Sequence, residues 1–193
     1  MKWFTKYWAT IGGFIAVVII LYILVSDLRI PDIESLLWLH FAILLIHQFE
    51  EYVYPGGFKE FFQENIYNKN RIIRFPLNDE GIILVNVVLG WTAYLTSAIY
   101  GEKMLWLAIG LLGVTILNGF LHTLMFVINR KYNPGFVSGL FLCIPFGIYV
   151  LLGLVNDLPT KTMISGIIIF IIGFTLIPLS IFVTNKFKVS NKE

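Results

Sequence analysis

Six apolar runs, each about as long as a membrane-spanning helix, take up most of this 193-residue chain. The hydrocarbon core of a bilayer is about 30 Å thick, and an α-helix needs about 20 apolar residues to cross it. Inside a bilayer the backbone groups of each run must bond to one another, so every run is expected to be helical. The sequence therefore predicts an all-α, polytopic membrane helical bundle. It forms a single transmembrane domain with six transmembrane helices at about 7–25, 34–54, 80–100, 104–129, 136–155 and 163–184.

The composition agrees with a membrane protein. Only 13% of the residues are charged and 58% are hydrophobic, whereas about a quarter of the residues of a soluble domain are charged. The first apolar run is long and ends in a poor cleavage site at residues 25–27, so we predict an uncleaved first span. The formal charge is only +2, and the basic residues lie between the apolar runs. We therefore expect membrane lipids, and not nucleic acid, as partners.

Lysine and arginine are unevenly divided between the two sides of the predicted membrane. Eleven lie on the side of both termini and three on the other side. Cytoplasmic loops carry an excess of these residues, which predicts that both termini are cytoplasmic. The larger group comprises Lys2, Lys6, Lys59, Lys69, Arg71, Arg74, Arg130, Lys131, Lys186, Lys188 and Lys192, and the smaller group Arg29, Lys103 and Lys161.

The second loop contains a further helical pattern. Four apolar residues recur there at helical spacing with charged and amide side chains between them, namely Phe58, Phe61, Phe62 and Ile66. This pattern predicts a short helix at about 58–67 that lies in the cytoplasmic interface. A polar loop with chance aromatic residues is the alternative.

Ionisable side chains gather near the inner end of the second span. His47 is followed by Glu50 and Glu51, three and four residues later, which makes both glutamates its neighbours on the helix surface. Asn118 and His122 are four residues apart and share a face of the fourth span. Charged and imidazole groups inside a membrane are rare and mostly functional, so this cluster is the candidate site.

Depth allows these residues to meet. His47 and His122 each lie seven residues before the inner end of their span, so both are about 10 Å above that end at 1.5 Å per residue. Asn86 on the third span reaches a similar level. His40 lies seven residues outward of His47, and we interpret it as a core histidine bonded to a neighbour. Tyr132, in the fourth loop, is either an interfacial anchor or a hydroxyl that reaches the acidic cluster.

The first chemical hypothesis is a metal centre. Two histidines and one glutamate, with an open position for water, form a common catalytic zinc site. His47, His122 and one of Glu50 or Glu51 supply that set, and the other glutamate is then a candidate general base. Asn118 is a candidate to orient a ligand or to stabilise an oxyanion. This hypothesis predicts a metal-dependent intramembrane hydrolase, with a divalent metal such as zinc, that acts on a lipid-like or peptide substrate.

Other interpretations use the same residues. A glutamate and a histidine could activate water without a metal, or the acids and imidazoles could form the proton or cation pathway of a transporter or channel. Interhelical hydrogen bonds in a non-catalytic membrane interaction protein are a third possibility. The residue types alone do not separate these alternatives.

Three motifs give a family resemblance. Residues 47–51 (HQFEE) match HxxEE, residues 118–122 (NGFLH) match NxxxH, and residues 132–135 (YNPG) match YxPG. The chain thus resembles a family of small bacterial integral membrane proteins named for the HxxEE motif. The resemblance implies a bacterial inner-membrane location and marks these positions as characteristic of the family, but it implies no activity. CAAX-type membrane proteases also use a glutamate pair with histidines and an asparagine inside a helical bundle. This chain is similar to them in these residue types only, and the analogy favours a hydrolase.

Overall fold

The structure, a computed structural model, describes residues 2–26, 28–68 and 75–190, and all regular structure in these ranges is helical. The predicted all-α class is confirmed. We number the helices α1 (Lys2–Val25), α2 (Ile33–Tyr52), α3 (58–67), α4 (79–100), α5 (Leu105–Asn129), α6 (136–154) and α7 (Thr160–Ser190). Of the basic residues counted above, Lys69, Arg71, Arg74 and Lys192 lie outside the described residues.

Three of these helices contain a wide π-helical segment. The segments are Gln63–Tyr67 in α3, Leu84–Trp91 in α4 and Gly139–Cys143 in α6. Such segments are uncommon and are often found at functional sites. The one in α6 begins directly after a residue that contacts the candidate site, as shown below.

Local chemistry explains where the helices begin and end near the site. The side chain of Asn78 accepts a hydrogen bond from the backbone N–H of Gly81 at 2.7 Å and so caps the start of α4. After α2, Gly56 and Gly57 adopt φ values of 70° and 88°, which residues with a Cβ rarely tolerate. These two glycines turn the chain sharply from α2 into α3.

Among the described residues, four helical segments are long and apolar enough to cross a membrane, namely Trp3–Val25, Asp79–Asn129, Phe136–Leu154 and Thr160–Phe187. The second contains both α4 and α5. These helices are in contact, since the Tyr94 hydroxyl lies 2.7 Å from Thr115 Oγ1 and 3.2 Å from the Leu111 carbonyl. Helix α2 is not among the four, since its histidines, glutamine and glutamates lower its hydropathy. The six-span count and the orientation remain predictions.

Helix α2 lies at the centre of the bundle. Twelve of its twenty residues are buried, including His40, His47, Glu50 and Glu51. It packs against α1, α4, α5 and α6, so protein rather than lipid surrounds its polar side chains. This placement explains how a helix with so many polar groups fits into an apolar protein.

Small residues bring α5 and α7 close together. A Cβ at Gly110 would lie 2.4 Å from Ile169, and a Cβ at Gly166 would lie 2.5 Å from Ile109. Such close backbone approach is the usual way in which helices associate in membranes. The packing holds α5, which carries Asn118 and His122, in a fixed position beside α2.

Candidate metal centre

Two imidazoles and one carboxylate converge between α2 and α5. The Nε2 atom of His122 lies 3.1 Å from Oε1 of Glu51, and Nε2 of His47 lies 3.8 Å from the same oxygen. The three ligand atoms lie within 4.8 Å of one another, and all three residues are buried. The contacts of 47 with 118 and of 51 with 122 also show that α2 and α5 run in the same direction.

These separations fit one divalent metal. Zinc bonds to histidine nitrogen and carboxylate oxygen are about 2.0–2.2 Å long, so tetrahedral ligand atoms lie about 3.4 Å apart. The observed 3.1 and 3.8 Å lie on either side of that value. The three ligand atoms all lie within 4.8 Å of one another, so His47, Glu51 and His122 form a buried His₂Glu group that could hold a metal ion.

Asn133 fixes the orientation of the His122 ring. Its amide nitrogen donates to the backbone carbonyl of His122 at 2.9 Å, which turns Oδ1 toward His122 Nδ1 at 2.7 Å. The Nδ1–H of His122 is then the donor, and in the neutral imidazole the lone pair resides on Nε2, which faces Glu51. In known metal sites, a hydrogen bond from the ring nitrogen that does not bind the metal sets the tautomer of the histidine.

Ser138 fixes the His47 ring in the same way. The Ser138 hydroxyl donates to Oε2 of Glu50, so its oxygen accepts from His47 Nδ1 at 2.8 Å. The Nε2 lone pair of His47 then faces the centre of the cluster, where the amide nitrogen of Asn118 donates to it at 2.8 Å. Glu50, Ser138 and His47 thus form a carboxylate–hydroxyl–imidazole chain that ends at the ligand atom.

The electrostatics of this arrangement favour a bound cation. Two imidazole lone pairs and a carboxylate oxygen point at one another in a buried space, where their repulsion is only weakly screened. Asn118 offsets part of the repulsion at His47. A metal ion or a proton between His122 and Glu51 is needed to offset the rest.

Glu50 has a different role from Glu51, a distinction that the sequence left open. The backbone N–H groups of Val137 and Ser138 donate to its carboxylate at 3.0 and 2.7 Å, and the Tyr132 hydroxyl donates at 2.6 Å. The negative charge of Glu50 therefore lies at the start of α6, where it complements the helix dipole. The structure places Glu50 with segment 132–138 and places only Glu51 with the two imidazoles.

The hydroxyl of Tyr132 reaches the acidic cluster, although 43% of the residue is exposed. Tyr132→Phe is expected to lower the free energy of unfolding by about 1.5 kcal/mol, the lower end for a hydrogen bond to a charged group. Burial, and then the bond to Glu50, raise the pKa of Tyr132. The stabilisation is therefore constant below the unfolded-state pKa of about 10 and declines above it. Unfolding midpoints of wild type and Tyr132→Phe in detergent test this, and the difference between them should be smaller at pH 10.5 than at pH 7. Equal midpoints of the two proteins at pH 7 would contradict the prediction.

Asn86 and His40 lie away from the convergent group. Asn86 Oδ1 accepts from the side chain of Gln48 at 3.1 Å, on a different face of α2 from His47. His40 Nε2 contacts Thr115 Oγ1 at 2.8 Å, which agrees with its interpretation as a core histidine. Asn86 therefore lies near the face of α2 that carries Gln48 and not near the face that carries His47.

Sequence reasoning missed three contributors, Asn133, Ser138 and Phe58. Asn133 is fully buried and lies inside the YxPG motif, so the motif could have pointed to it. Ser138 follows the same motif by three residues. The Phe58 ring lies 5.0 Å from the His122 ring between centroids, so it covers the site from the α3 side.

Comparisons with known proteins place the chain in one family. Neither the curated proteins nor the solved structures contain a match to this chain. A family profile described as "Protein of unknown function with HXXEE motif" matches residues 38–150, a stretch that includes most of α2, all of α5 and the residues of the convergent group. Since this match covers more than half of the sequence, the chain belongs to the HXXEE family.

Proposed function

We propose that this protein is a metal-dependent membrane hydrolase whose metal ligands are His47, Glu51 and His122. The observation that carries the proposal is the convergence of their three ligand atoms within 4.8 Å in a buried site. Asn133 and Ser138 support it, because they turn both Nε2 lone pairs toward that point. The excess of basic residues on the side of both termini supports an inner-membrane location with the site near the cytoplasmic leaflet.

The chemistry divides among the residues around the site. A bound divalent metal would supply Lewis acidity and a water molecule that loses its proton near neutral pH. Both imidazoles approach Oε1 of Glu51, so Oε2 is the oxygen placed to accept a proton from water. The amide nitrogen of Asn118 donates to His47 Nε2 at 2.8 Å. When that lone pair binds a metal instead, the Asn118 N–H is released to donate to the oxygen that becomes negative in the substrate.

Asn118 gives the test of hydrolysis. With ester and phosphodiester amphiphiles in mixed micelles, we expect turnover by the metal-loaded protein, no turnover after chelation, and recovery on adding metal back. Asn118→Ala should retain the metal and lower kcat by about 10²–10³-fold, as loss of one oxyanion donor does elsewhere. A protein that binds metal but cleaves none of these substrates would contradict the hydrolase proposal. Ion flux in proteoliposomes that depends on Glu51 would favour the transporter instead.

Glu50 is expected to act on the metal only through Ser138. Glu50→Gln keeps the shape but replaces an acceptor oxygen by an NH₂ group that faces other donors. We expect metal affinity to fall by about 10–100-fold, the usual effect of changing an outer partner of a ligand. Chelator competition measures the affinity. Glu102→Gln, the same change at an exposed site, is the matched control. Complete loss of metal in Glu50→Gln would instead identify Glu50 as a ligand.

A further inference from the structure

A small cavity opens between α1, the end of α2 and the starts of α3 and α4. Its volume is about 180 Å³. Four charged residues line it, namely Lys6, Lys59, Glu60 and Asp79. Pockets for drug-sized ligands measure about 300–1,000 Å³, so this cavity suits a headgroup-sized fragment of a larger molecule.

The charges in the cavity balance. Lys59 Nζ pairs with Asp79 Oδ1 at 2.5 Å. Lys6 on α1 and Glu60 on α3 line the same space, and within residues 2–26, 28–68 and 75–190 neither has an ion-pair partner. Lys6 Nζ lies 5.2 Å from the centroid of the Tyr7 ring. One cation and one anion without an ion-pair partner, on α1 and α3, are complementary to a zwitterion. A purely anionic ligand would lie beside Glu60, and a metal cation would lie beside Lys6.

Three aromatic residues also line the cavity, namely Trp8, Tyr52 and Phe58. The Trp8 and Tyr52 rings lie 5.1 Å apart between centroids, and the Tyr52 and Phe58 rings lie 6.2 Å apart. Ammonium groups, and quaternary ones in particular, bind to the faces of such aromatic groups. The rings together with Glu60 therefore favour the cationic half of a zwitterion, and Lys6 favours an anionic half such as a phosphate ester.

Apolar side chains also contribute to the lining of the cavity, among them Trp8, Ala9 and Ile82. Trp8 and Ala9 are each only 3% exposed. A headgroup in this cavity that remains attached to the bilayer needs a charged head joined to an apolar body. A membrane phospholipid has this construction, whereas a free amino acid or inorganic phosphate does not.

The cavity also borders the candidate metal centre. Phe58 lines the cavity, and its ring lies 5.0 Å from the ring of His122. A single phenyl ring thus separates a headgroup in the cavity from a metal ligand. The glycine turn at Gly56 and Gly57 directly precedes Phe58 and allows this ring to be presented to the site.

We propose that this cavity binds the zwitterionic headgroup of a phospholipid, with the ammonium against Trp8, Tyr52, Phe58 and Glu60 and the phosphate beside Lys6. The lipid is then the substrate class of the neighbouring site, a step that rests on the proposed function. Headgroup binding itself does not require a metal.

Soluble headgroup analogues test the proposal by calorimetry on the full chain in detergent. Glycerophosphoethanolamine and glycerophosphocholine share the zwitterion, whereas glycerophosphoglycerol lacks the ammonium. We expect saturable binding of at least one zwitterionic analogue, about tenfold tighter than that of glycerophosphoglycerol, the effect of one contact to a charged group. Inorganic phosphate should not compete. Equal binding of glycerophosphoglycerol, or competition by phosphate, would overturn the proposal.

Variants of exposed residues locate the binding. Lys6→Gln and Glu60→Gln should each weaken binding of the zwitterionic analogue by about tenfold. Lys103→Gln and Glu102→Gln make the same changes in the exposed turn between α4 and α5 and should have no effect. Unchanged affinity in both cavity variants would overturn the proposal.

Metal-free protein separates this proposal from the hydrolase. Chelator-treated wild type should bind the analogues as tightly as metal-loaded protein does. Binding that persists while metal-loaded protein cleaves no phospholipid would leave the headgroup site standing and overturn the hydrolase proposal. Phospholipid cleavage without analogue binding would do the reverse.

Discussion

Replacing either histidine of the proposed metal site is expected to abolish metal binding. His47→Ala and His122→Ala each delete one of the three proposed ligands, and Glu51→Gln removes the carboxylate among them. The loss in affinity should exceed the roughly 10–100-fold that follows from changes to outer partners. After loading with zinc and removal of free ion, elemental analysis should find one metal per wild-type chain and close to none in these three variants.

His40 provides the matched control for this experiment. It lies on the same helix as His47 and is equally buried, at 1% exposure, but its Nε2 bonds to Thr115. His40→Ala therefore removes the same buried imidazole without removing a ligand and should keep the full metal content. Metal retained in both His47→Ala and His122→Ala, or wild type that never takes up metal, would exclude the site. Size-exclusion profiles identify any variant that fails to fold.

Much of this site follows from helix geometry alone. His47 and Glu51 are four residues apart, as are Asn118 and His122, and a helix brings each pair onto one face whatever the rest of the fold does. Equal depth of the two histidines required only that α2 and α5 cross the bundle in the same direction. These features are local or periodic, which is why they could be predicted.

The choice between Glu50 and Glu51 could not be predicted, because both are neighbours of His47 on a helix. It depends on the start of α6, which presents the N–H groups of Val137 and Ser138 to Glu50.

Asn86 illustrates the same difficulty. Its depth was correct, but the rotation of α4 about its own axis directs it toward Gln48. Sequence spacing fixes neither the rotation of one helix against another nor the contacts of a loop.

The low hydropathy of α2 has a related cause. Its polar groups are compatible with a membrane protein because other helices surround them, and Gln48 and His40 both have partners on α4 or α5. A hydropathy criterion treats each helix as if it faced lipid on all sides. The helix that carries most of the candidate site is therefore the one that such a criterion does not select.

Gly135→Ala is expected to disrupt both the turn before α6 and the metal centre. Gly135 has φ +96°, a conformation that costs an L-residue about 1–2 kcal/mol. A Cβ there would lie 2.5 Å from His122 Cε1 and 3.0 Å from His47 Cε1. The rings cannot move away without losing their bonds to Asn133 and Ser138, and overpacking of this kind costs a further 1–3 kcal/mol or so.

We therefore expect Gly135→Ala to lower the free energy of unfolding by about 2–5 kcal/mol. Metal binding should weaken by at least about tenfold, because each 1.4 kcal/mol needed to displace the rings lowers the binding constant by a factor of ten. Thermal unfolding in detergent and chelator competition measure the two effects. Gly153→Ala is the matched control, because a Cβ at this helical glycine meets nothing within 4 Å. That change should keep full metal affinity and leave stability equal or higher by up to about 1 kcal/mol. If the two alanine variants behaved alike, the YxPG glycine would not be the residue that lets both imidazoles approach the backbone.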